Sequence, residues 1–192
     1  QAFGRVFLKL EGASMKILFM ASLCFLLSAT GVQAGHHEQG ETTASAVIGT
    51  SFSPDGTAKE LVVGSLSHQQ MWVDYIQAHN DRDLKKIAEI NAEDWVGYPP
   101  DGSVIEGNAA HIAWLDEWFK SSDDPKWTVR WMIANSEKND EGEVEHWLTT
   151  GNDITFNDAD GNQVTEHHMH NIQFADGRIT QIYVYSRPAP NT

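Results

Sequence analysis

The sequence predicts an α+β domain in which helices cover the concave face of a curled antiparallel sheet, and three observations lead to it. Apolar residues recur at helical spacing between positions 67 and 120, whereas everything from Trp127 onward alternates at period two. Residues 163–187 read as two long strands around the turn Ala175-Asp176-Gly177, with β-branched and aromatic residues on both flanks. Helices first and four long strands afterwards is the pattern of helices segregated to one side of a sheet.

The chain begins with a different kind of segment. Met15-Lys16 precedes the short apolar run ILFMASLCFLLSAT, and Val32-Gln33-Ala34 puts small residues at −3 and −1, the pattern of a secretory signal peptide over residues 15–34. Residues 1–14 then read as translated upstream sequence, and the protein is expected to be exported, to a periplasm or to the outside medium. The single cysteine, Cys24, lies inside the signal run, so the mature chain has neither thiol nor disulfide and depends on an ordinary core. Acidic residues outnumber basic ones 27 to 13, a formal charge of −14. Removing the first 34 residues makes the balance more acidic, because they carry Arg5, Lys9 and Lys16 against one Glu11. Such a charge repels phosphate backbones and anionic lipid, which argues against nucleic-acid binding and against membrane association after cleavage.

Residues 35–64 are rich in Gly, Ser, Thr and Glu without a sustained period and read as a flexible leader, with local docking open to Val47-Ile48 and Leu61-Val62-Val63. Cleavage after Ala34 would expose Gly35-His36-His37, a sequence suited to square-planar Cu(II) or Ni(II), or simply a polar tail. The domain proper spans residues 65–190. Ser67 is a plausible N-cap for a helix carrying Met71, Trp72, Tyr75 and Ile76, and His68, Trp72, Tyr75 and His79 fall on one stripe. A second helix starts at Leu84. Trp95 to Tyr98 is extended, Pro99-Pro100-Asp101-Gly102 turns the chain, and Asn108 caps a third helix with Ile112, Leu115 and Phe119 on one face.

The strands follow. Trp127, Val129, Trp131 and Ile133 share one face, then residues 139–142 form a hairpin turn, and Val144, His146, Leu148 and Thr150 share a face of the next strand. Gly151-Asn152 reads as a bulge. On the following strand Glu166, His168, His170 and Ile172 lie on one side. If that side is buried, the row of ionisable groups is an active-site candidate. His146 is expected beside His168 or His170 across the ladder, which raises zinc or iron as an alternative to a polar patch, and the reading adopted has no metal and no cofactor.

These residues resemble the NTF2-like or SnoaL-like proteins, among them ketosteroid isomerases, polyketide cyclases and scytalone dehydratase. The likeness covers residues 66–188 and rests on WVDYIQAHNDRDLKKIAEINAEDW, PPDGSVIEGNAAHIAWL and NIQFADGRITQIYVYS in that order. It implies a cone-shaped α+β barrel with three N-terminal helices packed on a strongly curved antiparallel sheet. It also implies a homodimer through the outer sheet face, and an inward face that Thr180, Ile182, Val184 and Ser186 share with His170 and Ile172. In the isomerase branch, Tyr75 falls at the pocket tyrosine, and His170 holds the place of a protonated aspartate that donates to an oxyanion. The branch's aspartate base has no counterpart around Tyr98-Pro99-Pro100; Asp101 substitutes if its turn folds inward. The resemblance therefore implies a small apolar oxygenated ligand and cofactor-free acid–base chemistry by His170, Tyr75 and Asp101: isomerisation, dehydration or cyclisation. Trp72, His79, Leu115, Phe119, His146, His168, Ile172, Ile182 and Val184 are the expected ligand contacts. The alternative is a non-catalytic ligand-binding or interaction module.

Overall fold

Burial decides which of these expectations the folded chain honours. The computed structural model describes residues 45–122, 124–157 and 161–189, all within one unit, Thr43–Thr192. The upstream segment, the signal run and the Gly35-His36-His37 motif lie outside the described residues. Among the described residues no helix is long and apolar enough to cross a membrane.

Two strands come first, β1 (Val47–Phe52) and β2 (Ala58–Val63), followed by α1 (Leu66–Asn80) and α2 (Leu84–Ile90). Then come β3 (Asn91–Tyr98), β4 (Ile105–Glu106) and α3 (Asn108–Ser121), and finally β5 (Lys126–Lys138), β6 (Val144–Asn157), β7 (Gln163–Ala175) and β8 (Arg178–Pro188). All eight strands form one sheet in the order β1-β2-β5-β6-β7-β8-β3-β4, antiparallel except where β3 runs parallel to β8. The α+β class and the four long strands agree with the sequence reading.

Several details differ. The stretch read as leader contains the β1–β2 hairpin, and β2 joins the sheet by pairing Val62 with Ser136 and Val63 with Asn135. The three helices are therefore not N-terminal, and β3 and β4 separate α2 from α3. The helix caps also shift: the Ser65 side chain, not Ser67, accepts from a backbone N–H at the start of α1, and Gly107 at φ 90° precedes α3. Finally, β6 runs unbroken through Gly151-Asn152, and the register shift lies on β5 between Val129 and Trp131. Gly151 instead makes room for an indole, since a Cβ there would stand 2.3 Å from Trp131 Nε1.

The β7–β8 turn closes as expected. Ala175 pairs with Arg178 across Asp176 and Gly177, both at positive φ, a two-residue turn whose twist matches its strands. A register shift at Gln173/Phe174 then pairs Ile179 with Phe174, so Ile179 rather than Thr180 joins the core beside Ile182. Helix residues Trp72, Tyr75, Ile76, Leu115 and Phe119 share one apolar cluster with the strand residues Leu148, Ile172, Phe174 and Ile179. That contact layer between helices and sheet is where the site lies.

Candidate active site

Between α1, α3, β3 and the inner faces of β7 and β8 lies a cavity of about 210 Å³. Helical spacing turns Trp72, Tyr75 and His79 of α1 into it, because positions three and four apart share a face. By the same spacing α3 contributes His111 and Leu115. Strand alternation delivers His168 and His170 from β7, and Ile182 and Val184 from β8. Trp114, Trp118 and Trp127 line it as well, and stacking joins Trp114 to Trp118 at 5.8 Å between ring centroids. The lining is largely aromatic and aliphatic with a few converging polar groups, the usual character of a small-molecule site.

Every buried histidine in this wall has its Nδ1 tied to the framework. His79 Nδ1 lies 2.8 Å from the Tyr75 carbonyl oxygen, one turn back on α1. His170 Nδ1 lies 2.8 Å from the Asn152 amide nitrogen, and the Trp72 indole N–H donates to the oxygen of the same amide at 3.3 Å. His111 Nδ1 lies 3.0 Å from the Asn91 amide nitrogen. That nitrogen also donates to Asn108 Oδ1 at 3.0 Å, while Asn108 Nδ2 donates to the Ala88 carbonyl at 2.9 Å. Asn91, Asn152 and His111 escaped the sequence reading as site residues. His111 was visible in principle, because 111, 115 and 119 stand on one helical stripe.

Burial sets the protonation of these groups. It pushes His79 down to about 4, against a weaker upward pull from the Tyr75 carbonyl. His111 falls to about 3 through burial and the neighbouring His79. His170 also falls to about 3, through burial and then through His168 and His79. All three are neutral imidazoles at pH 7. Burial raises the Tyr75 phenol far above its ordinary value, with the Asn91 side chain pulling weakly the other way, so it is a neutral O–H. The Tyr75 hydroxyl is buried without a well-formed hydrogen bond, as are Asn91 Oδ1 and Trp95 Nε1. Burying a polar group so poorly matched costs about 1–3 kcal/mol.

Eight of the expected site residues thus converge on the cavity: Tyr75 and His170, then Trp72, His79 and His168, then Leu115, Ile182 and Val184. Four do not. Asp101 is exposed in the turn before β4, where its carboxylate accepts from Ser103 N–H and Oγ–H at 2.9 and 2.7 Å, so the carboxylate does not reach the cavity although Pro99 and Pro100 of the same turn line it. Those bonds hold its carboxyl below the ordinary value. His146 pairs with Phe174 across β6–β7, whereas His170 faces Thr150 and His168 faces Asn152. The expected histidine neighbourhood is thus displaced along the ladder. His146 meets the Ser136 hydroxyl at 2.8 Å and the His68 ring at 5.2 Å. Phe119 sits edge-on behind His79, and Ile172 is sealed in the core. Among the described residues no three His, Cys, Asp or Glu side chains gather as metal ligands would.

A family model described as "SnoaL-like domain" matches residues 72–182, most of the segment that builds the cavity. Among solved structures, the chain is similar to a protein of Kribbella flavida DSM 17836 provisionally named a ketosteroid isomerase. The two are 16% identical over 66% of this chain and 82% of that one, with a TM-score of 0.51. It is similar also to AclR of Streptomyces galilaeus, provisionally named a hydroxylase: 17% identity, 66% and 83% coverage, TM-score 0.50. An NTF2-like protein of Cytophaga hutchinsonii ATCC 33406 gives 14% identity, 62% and 97% coverage and a TM-score of 0.48. At such identities the likeness concerns the fold. No curated protein sequence matches the chain.

Proposed function

Because the chain belongs to the SnoaL-like domain family, we propose that it is an exported member whose helices and sheet form a cone around one small, largely apolar, oxygenated molecule. On that molecule it performs cofactor-free acid–base chemistry beside a carbonyl: isomerisation, dehydration or ring closure. The observation that carries this reading is the Tyr75 hydroxyl, a buried donor without a well-formed bond, in the wall that also contains His170. Two neutral donors in a largely apolar, aromatic cavity favour an oxyanion over its uncharged parent, and such stabilisation is larger there than in water.

Of the acid–base chemistry expected of His170, we assign it the part of a hydrogen-bond donor. Asn152 occupies its Nδ1, so the neutral ring offers a proton at Nε2 and acts as a donor alongside Tyr75. Replacing His170 by Ala and Tyr75 by Phe tests the assignment. Each is expected to lower turnover of an enolisable ketone by about 100-fold or more with the fold retained by circular dichroism. Unchanged rates in both would remove the mechanism.

A second reading is binding without turnover. It is favoured by the absence, among the described lining residues, of any carboxylate to serve as base. For assembly we propose a homodimer through the outer sheet face, where Ile133, Met169 and Tyr185 stand 54%, 48% and 62% exposed. Export rests on the signal run at residues 15–34 and is tested by the N-terminus of the mature protein, expected at Gly35; an intact Met15 would contradict it.

A further inference from the structure

A mechanism with two donors lacks a proton acceptor, and the hydrogen-bond partners of the three cavity imidazoles supply one. Each ring is oriented through a group that can play only one role. A backbone carbonyl only accepts, so His79 must carry its proton on Nδ1 to bond the Tyr75 oxygen, which leaves a lone pair on Nε2. An indole N–H only donates, so Trp72 fixes the oxygen of Asn152 toward itself and the NH₂ toward His170. His170 Nδ1 is therefore an acceptor, and the proton of the neutral ring sits on Nε2. The Ala88 carbonyl fixes Asn108 in the same way. Asn108 then presents its oxygen to Asn91, whose NH₂ faces His111 Nδ1, and His111 too carries its proton on Nε2. Among the described residues no hydrogen bond engages the Nε2 atom of any of the three rings, and all three rings line the same cavity. His79 lies 6.2 Å from His111 between ring centroids, and it is close enough to His170 to oppose protonation of that ring.

We propose that the cavity selects a one-ring molecule bearing both a carbonyl and an acidic proton, with His79 Nε2 as the proton acceptor and the Nε2–H groups of His111 and His170 joining the Tyr75 hydroxyl as donors to the carbonyl oxygen. This rests on the ligand-binding reading above and adds its polarity. The ring size follows from volume, since a cavity of about 150 Å³ holds benzene and this one measures about 210 Å³. In a turnover, His79 Nε2 takes the proton from an O–H, or from a C–H next to the carbonyl, and becomes an imidazolium. The electron pair left behind moves onto the carbonyl oxygen, which is held by the Tyr75 hydroxyl and the N–H groups of His111 and His170. Return of the same proton to a different atom of the ligand restores the neutral imidazole. The strongly lowered basicity of His79, near that of a carboxylate, suits it to give the proton back.

The test has two arms on the full-length protein. In the first, long-range nitrogen–proton correlation spectra of ¹⁵N-labelled protein at pH 7 read each histidine tautomer directly, with His79→Gln, His111→Gln and His170→Gln used for assignment. The expected result is Nδ1–H for His79 and Nε2–H for His111 and His170; a reversed tautomer at any of them overturns the assignment. Asn152→Asp, which replaces the donor facing His170 by an acceptor, is expected to move the His170 proton to Nδ1 or to double protonation. An unchanged pattern in that folded variant also overturns it.

In the second arm, 4-hydroxyacetophenone, acetophenone and 4-methoxyacetophenone are titrated by calorimetry. The hydroxyketone is expected to bind at least about ten-fold more tightly, a preference that His79→Gln abolishes. Equal affinities, with the tautomers as assigned, overturn the ligand class while leaving the cavity as a binding site. Failure of all three probes to bind overturns both the ligand class and the ligand-binding reading on which it rests.

Discussion

His170 shows how far a single side chain depends on residues that never touch a ligand. Its ring is held by Asn152, Asn152 by Trp72, and Trp72 by the α1 stripe that also carries Tyr75. Trp95 does the same for His111, stacking on it with centroids 3.8 Å apart and planes 11° apart. That stack exists because residue 97 has no side chain: a Cβ on Gly97 would stand 2.2 Å from the Trp95 indole. Gly97→Ala is therefore expected to fold, to lose about 1–3 kcal/mol in urea denaturation, and to shift the His111 ring resonances. Unchanged resonances and an unchanged midpoint would show that the stack does not depend on that space. The face of β7 that carries His168 and His170 was legible, because period two fixes which residues go together. Which nitrogen each ring presents was not. For His111 and His170 that depends on Asn91, Asn108 and Asn152, polar residues that nothing in their spacing marks as partners of an imidazole before the fold brings them together.

Elements differ in legibility for a physical reason. The β7–β8 hairpin announces itself through Asp176-Gly177, a turn whose positive φ values few other pairs adopt easily, between two long alternating runs. The β1–β2 hairpin has no such signature, since Val47-Ile48 and Leu61-Val62-Val63 are too short to show a period. It forms as an edge extension of β5, reinforced by ion pairing of Lys59 with Asp140 at 2.5 Å. The displaced register of His146 belongs to the same scale: the β6–β7 pairing follows from which side chains the core accepts, and alternation alone does not fix it. The outer sheet face carries its own prediction. Ile133, Met169 and Tyr185 form exposed apolar surface on a strongly acidic chain, so sedimentation is expected to give a dimer, and Ile133→Glu a monomer of unchanged circular dichroism. A monomeric parent protein would contradict it.

At the scale of the whole molecule, the cavity makes stability depend on pH. His79, His111 and His170 titrate near 6.5 when unfolded and at about 4, 3 and 3 when folded. Between pH 6.5 and about 4 the unfolded chain binds protons that the folded chain refuses, so stability rises with pH in that window and is fully present above it. Each group contributes about 1.4 kcal/mol per pH unit well inside the window, or about 4 kcal/mol per unit for the three together. Urea denaturation is expected to be flat from pH 7 to 8 and to fall steeply below pH 6; a flat profile down to pH 5 would mean that the three rings are not buried as neutral groups.

The proposed chemistry stands on one arrangement, an aromatic-lined cavity in which a phenol and oriented imidazoles meet an oxygen of a small ring. A crystal structure with 4-hydroxyacetophenone bound tests it most directly. The account predicts the ring between α1 and β7, its carbonyl oxygen about 3 Å from His170 Nε2 and its hydroxyl turned toward His79. Density for the probe elsewhere on the protein, or a His170 ring turned to bulk solvent, would contradict it.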